Sequence, residues 1–86
     1  MAYRVLDSAA AERDLGKLPK DILRRVADRI SALAETPRPH GSEKLKGEEN
    51  LYRVRVGDYR VLYEIDDERR VVRIARVRHR REVYRG

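Results

Sequence analysis

The 86-residue chain contains no cysteine. Disulfides, thiolate metal sites and cysteine nucleophiles are therefore excluded. The start, Met1 to Asp7, has no long apolar stretch behind a basic one, and no apolar run elsewhere is long enough to span a bilayer. A cytoplasmic protein without a signal peptide or a membrane partner is expected. A glycine-rich phosphate loop, a GxSxG elbow and an HExxH pair are also missing. Asp66, Asp67 and Glu68 adjoin, but they fall in a turn, where acids are favoured for local hydrogen bonding. No cofactor and no metal are expected. The length suits a single domain over residues 1–86. A domain of this size hides only ~60–65% of the surface of its unfolded chain, so activity must sit on the surface or in a shallow groove.

What the chain has in excess is positive charge. The net charge is +6, and it is uneven. Residues 1–43 carry 8 Lys and Arg against 7 Asp and Glu, whereas residues 44–86 carry 13 against 8. Of those 13 cations, 11 are arginine, the planar fork that grips phosphate with two hydrogen bonds. The pattern points to a nucleic acid or an acidic protein as partner. With 42% of residues charged, composition alone fits the surface of a thermophile's protein equally well.

The first half reads as a short strand and two helices. Tyr3-Arg4-Val5-Leu6 alternates weakly. Asp7 or Ser8 can cap a helix over roughly residues 9–17, with Ala11, Leu15 and Leu18 on one face. Pro19 suits the first turn of a second helix, from about Lys20 to Glu35. Ile22, Leu23, Val26, Ala27, Ile30 and Leu33 recur there at helical spacing. The run Thr36-Pro37-Arg38-Pro39-His40-Gly41 stops it.

The second half reads as strands. Leu51–Val56 and Tyr59–Ile65 alternate on either side of Gly57-Asp58. A two-residue loop pairs Val56 with Tyr59, Val54 with Val61 and Tyr52 with Tyr63, all on one apolar face. The other face then pairs Arg55 with Arg60, Arg53 with Leu62 and Leu51 with Glu64. A third strand, about Val71–Val77, sets Ile65 against Val72, Glu64 against Arg73 and Tyr63 against Ile74. The expected fold is α+β, a helical hairpin packed on one face of a small, mainly antiparallel sheet. The first strand joins as an edge whose neighbour is left open.

The uncovered face would present Arg53, Arg55, Arg60 and Arg73 with one acid, Glu64. Like charges directly opposite destabilise a sheet, so Arg55 against Arg60 suggests a site for phosphate or carboxylate. Long side chains splayed into water would fit the same pattern. A basic sheet suits single-stranded RNA better than a duplex groove. Lys44 and Lys46 form a short basic approach to the sheet. The basic C-terminal segment adds His79, able to titrate near neutral pH, Arg80, Arg81 and Tyr84, whose phenol can stack on a base or exchange a proton.

The stretches Lys44-Leu45-Lys46-Gly47, Leu51 to Ile65 with its Gly-Asp-Tyr-Arg segment, and His79-Arg80-Arg81-Glu82-Val83-Tyr84-Arg85 resemble toxins of the RelE/ParE superfamily, as does Lys17-Leu18-Pro19 in the helical hairpin. The resemblance covers nearly the whole chain. It implies the toxin of a type II toxin–antitoxin system with a RelE-like fold. RelE-like members are ribosome-dependent, metal-independent mRNA endonucleases. Carried over by position, Arg55, Arg60, Arg80 (or Arg81) and Tyr84 would be catalytic, and Arg53 a second basic residue on its strand. Lys44, Lys46, Arg53, Arg73, His79 and Arg81 would then assist in RNA binding. Implied partners are mRNA, the ribosome and a cognate antitoxin whose acidic or amphipathic segment covers the basic face in a hetero-oligomer. The alternative branch, ParE-like, shares the fold and poisons DNA gyrase without RNase activity.

Overall fold

A computed structural model describes residues 2–47 and 50–83, the last by its backbone alone. Strand β1 (Arg4–Asp7) leads into helix α1 (Ala9–Gly16), and helix α2 (Lys20–Ala32) follows. Strands β2 (Glu43–Lys44), β3 (Leu51–Val56), β4 (Tyr59–Asp66) and β5 (Val71–His79) come next, then a single turn, α3 (Arg80–Val83). The five strands form one sheet in the order β1-β5-β4-β3-β2, with β1 parallel to β5 and every other pair antiparallel. The neighbour of β1 that the sequence left open is thus β5.

Both long helices form where expected. Ser8 caps α1, its hydroxyl oxygen accepting from the Ala11 amide at 3.0 Å. Pro19 occupies the position just before α2, with an extended backbone. Beyond Ala32 the chain tightens: the Leu33 amide donates to the Ile30 carbonyl and the Ala34 amide to that of Ser31. These are i to i−3 bonds, which end α2 three residues before Glu35.

Val26 and Ile30 of α2, Leu33 just past its end and Ala11 of α1 are buried against Val54, Val61, Tyr63, Ile65, Val72 and Ile74 of the sheet. Burying each Val, Ile or Leu side chain contributes about 1.5–3 kcal/mol. This one-sided core fixes which face of the sheet remains open.

The β3–β4 register is the one the alternation requires, from Leu51 opposite Glu64 to Val56 opposite Tyr59. The β4–β5 hairpin also starts as expected, with Ile65 opposite Val72 and Tyr63 opposite Ile74. It then shifts by one: Leu62 faces Arg76, leaving Ala75 as an extra residue in β5. The pattern that demands this is the spacing of three between Ile74 and Val77, both buried. An unbroken register would have turned Val77 outward and Arg76 and Arg78 toward the core.

Where β1 ends, α1 takes over the exposed edge of β5. The Ser8 hydroxyl donates to the Ala75 carbonyl at 2.9 Å, and Asp14 accepts from the Val77 amide at 2.9 Å. Asp14 also holds the Arg76 guanidinium through two bonds, 2.8 and 3.1 Å. Burial alone would raise the Asp14 carboxyl, but the hydrogen bonds from Arg76 and the Val77 amide overcome it and hold the group below the usual carboxylate range. At the far end, buried Tyr63 donates to the Pro37 carbonyl at 2.8 Å, anchoring the segment between α2 and β2. Arg38 in that segment grips Asp67 of the β4–β5 turn through both nitrogens of its fork.

Candidate nucleic-acid interface

The one-residue shift in β5 builds a line of three arginines across the open face. Arg55 faces Arg60 on β4, and Arg60 faces Arg78 on β5. Neighbouring strands lie about 4.8 Å apart, so the three backbone positions stand side by side on consecutive strands. Each is accommodated differently. Arg55 is exposed and forms no ion pair among the described residues. Arg60 is only 3% exposed, and one guanidinium nitrogen donates to the Gly57 and Tyr59 carbonyls, at 3.3 and 3.1 Å. The expectation of an open Arg60 is therefore corrected: its charge is tucked under the surface against the β3–β4 turn. Arg78 donates to Glu82 of α3, Nε to Oε2, at 3.3 Å.

The turn itself depends on Gly57, whose φ of +59° lies in the left-handed region that favours glycine. The other turn residue, Asp58, ties the C-terminal segment down. Its carbonyl accepts from the Arg80 amide at 2.7 Å, and its carboxylate lies 3.9 Å from the Arg80 Nε. Arg80 is thus brought to the same end of the sheet as Arg55 and Arg60, with its side chain more than half exposed. This favours Arg80 over Arg81 as the arginine next to the row.

His79 has a different place. It is the Cα partner of Tyr59, on the face that the helices cover, and the two rings meet edge to face at 5.3 Å. Its Nδ1 accepts from the Arg81 amide at 3.2 Å, while its own amide donates to Glu82 Oε1 at 3.0 Å. The exchange is like a capping box and occupies the His79 and Arg81 amides at the start of α3. The Glu82 carboxyl is held below its usual range, chiefly by the bond from the His79 amide.

The remaining sequence candidates divide. Arg53 lies on the open face, in contact with Glu43 at 3.4 Å. Arg73 is exposed there too, beside Glu64. Arg81 is exposed on α3. Lys44 pairs with Tyr52, so it belongs to the opposite face, and Lys46 lies in the exposed turn after β2. Neither lysine is brought to the arginine row. Tyr84 lies outside the described residues. Arg78 is the member that sequence reasoning missed; the Ile74–Val77 spacing was the signal that could have found it.

A small α+β domain with a covered apolar face and an open, arginine-bearing one defines the scaffold of a RelE/ParE-type toxin. Residues 5–84 match the family model of the ParE toxin of type II toxin–antitoxin systems (parDE), and the chain belongs to that family. Toxin RelG of Mycobacterium tuberculosis is 40% identical over 86 residues, covering 99% of both chains. Toxin RelE of the same organism is 36% identical over 84 residues, 96% of this chain and 87% of its own. Among solved structures, the RelBE2 toxin–antitoxin complex of M. tuberculosis superposes with a TM-score of 0.81 at 38% identity, covering 92% of this chain and 99% of that one. The archaeal RelE–RelB complex of Pyrococcus horikoshii OT3 gives 0.83 at 34%, covering 93% and 97%. No described helix is long and apolar enough to cross a membrane.

Proposed function

We propose that this toxin is a metal-independent endoribonuclease that cleaves mRNA on the ribosome, and that it is held inactive by an antitoxin segment over its basic face. The observation that carries the reading is the convergence of Arg55, Arg60 and Arg80 at the β3–β4 turn end of the open face. The relatives aligned along nearly its whole length are RelE-type toxins, two of them solved in complex with RelB antitoxins. None of these likenesses favours the gyrase alternative.

The chemistry is an intramolecular transesterification. The 2′-oxygen of a ribose attacks the adjacent 3′-phosphorus, and the bond from phosphorus to the next 5′-oxygen breaks. A proton leaves the 2′-OH and another arrives on the 5′-oxygen, giving a cyclic phosphate and a free 5′-OH. Arg55 and Arg80 stabilise the extra charge that gathers on the phosphoryl oxygens, and buried Arg60 adds its positive field from beneath the face. Arginine stays protonated and is a poor proton donor, so Tyr84 is assigned the part of base or of stacking platform. The ribosome supplies positioning, which can replace much of the missing acid–base strength. Asp58 and Glu82, the acids beside the row, each lie against an arginine. This supports a reaction without a metal of the protein's own. The cytoplasm, where mRNA is translated, is the assigned compartment.

Primer extension on a translated message, with toxin stripped of metal before mixing, is the test. The expected result is ribosome-dependent cleavage that falls sharply in Arg55→Ala and needs no added zinc or manganese. Intact mRNA combined with inhibited DNA supercoiling would overturn the reading.

A further inference from the structure

Arg76 and Arg78 lie two residues apart on β5, yet their partners hold them very differently. Arg76 is fixed to Asp14 by two short bonds, and the Asp14 side chain is only 12% exposed. Such a pair belongs to the fold. Arg78 touches Glu82 through one nitrogen at 3.3 Å, with side chains 31% and 51% exposed. A single, long, half-solvated contact contributes little and exchanges readily.

We propose that Arg78 is a further RNA-phosphate ligand of this face, and that Glu82 occupies its guanidinium in the free toxin as an internal stand-in for a phosphate. The inference rests on the RNA-cleaving reading above. Its position supports it: Arg78 is the cross-strand partner of buried Arg60, so a strand of RNA that leaves exposed Arg55 and crosses above Arg60 meets Arg78 next. The chemistry of the Glu82 carboxylate supports it too. One of its oxygens takes the Arg78 guanidinium and the other takes the His79 backbone amide. A guanidinium and a backbone N–H are the donors that commonly hold a phosphate group. An incoming phosphate displaces one anionic oxygen from Arg78 and leaves the other on the His79 amide, so α3 stays capped while the site opens. The line of three like charges, costly in a sheet, is thereby partly neutralised until RNA arrives.

The test measures RNA binding apart from cleavage. A short single-stranded 2′-O-methyl RNA, which lacks the attacking hydroxyl, is titrated with the full-length toxin by fluorescence anisotropy over a range of salt concentrations. Arg78→Gln is expected to weaken binding about tenfold and to lower the salt slope by about 0.7, the share of one phosphate contact on a single strand. Glu82→Gln keeps an oxygen for the His79 amide, since glutamine also serves in a capping box. It is expected to tighten binding several-fold, and that gain must vanish in the double variant Arg78→Gln/Glu82→Gln. Persistence of the gain without Arg78 would mean general repulsion by Glu82 and would overturn the proposal. Unchanged affinity and slope in Arg78→Gln, with both reduced in Arg55→Gln, would remove Arg78 alone and leave the RNA reading standing. Unchanged binding in both variants would remove the RNA reading as well. Circular dichroism melts on each variant separate these outcomes from misfolding, and Arg78→Lys, which keeps the charge, is expected to retain most of the slope.

Discussion

Arg60 and Arg78 stand directly opposite each other across β4 and β5, although the hairpin begins in a register that would have set Arg60 against Val77. The extra residue, Ala75, makes the difference. It lets Val77 point into the core and Arg78 point out, at a site where α1 satisfies the edge of the strand through Ser8 and Asp14.

Arg55 and Arg60 form a like-charged pair but should respond to truncation in opposite ways. Arg55 is exposed, so Arg55→Ala should leave stability unchanged or raise it, by a few tenths to about 1 kcal/mol, as repulsion is relieved. Arg60 is buried and serves two carbonyls, so Arg60→Ala should cost on the order of 1–3 kcal/mol. Both changes should lower mRNA cleavage by about 10²–10³-fold if the two charges stabilise the reacting phosphate. Urea melts alongside primer extension check this. Full cleavage by a folded Arg55→Ala protein would place the site elsewhere.

His79 is expected to act through α3 rather than on RNA. His79→Asn preserves a good capping side chain and should keep most activity, whereas His79→Ala should loosen α3 at a cost of about 0.5–2 kcal/mol. Backbone NMR of residues 79–83 reads the helix turn directly. Loss of cleavage in His79→Asn with that turn intact would instead assign the imidazole to the reaction.

Acid should weaken the attachment of α1 to β5. The Asp14 carboxyl titrates below its unfolded value of about 3.9, so its contribution is complete above that pH and is lost as pH falls through the lower, folded value. Asp14→Asn should be less stable than the parent at pH 7 by on the order of 1–3 kcal/mol, with the gap narrowing below about pH 4. Asp66, Asp67 and Glu82 are depressed too, so they also lose stabilising charge in acid. The difference between variant and parent isolates Asp14. A gap that stays constant down to pH 2 would contradict this account.

Tyr63→Phe should cost about 1 kcal/mol, because it leaves the Pro37 carbonyl without its 2.8 Å partner while keeping the buried ring. Activity should change little, since the hydroxyl lies on the covered face. Thermal melts and hydrogen exchange in residues 36–42 would register the loosened segment.

The sequence by itself determined the two helices, the one-sided core and the β3–β4 register. Each depends on short-range periodicity: helical spacing in Val26, Ile30 and Leu33, and alternation from Tyr52 to Val56 and, with Leu62 the exception, from Tyr59 to Ile65. It also determined that Arg55 opposes Arg60, because the apolar side of that hairpin permits no other pairing. Tertiary structure decided the rest. Which strand flanks β1 depends on where α1 and α2 return the chain, and local pattern does not record that. Arg60 is drawn down onto the Gly57 and Tyr59 carbonyls of the turn, and the transfer of His79 to a helix cap accompanies the fold-back of α3 onto Asp58, a contact between residues 22 apart. Arg78 joined the row only through the bulge at Ala75, where core packing of Val77 overrode the register that the turn had set. Periodicity reports which face a side chain prefers; only the packed molecule settles where that preference must break.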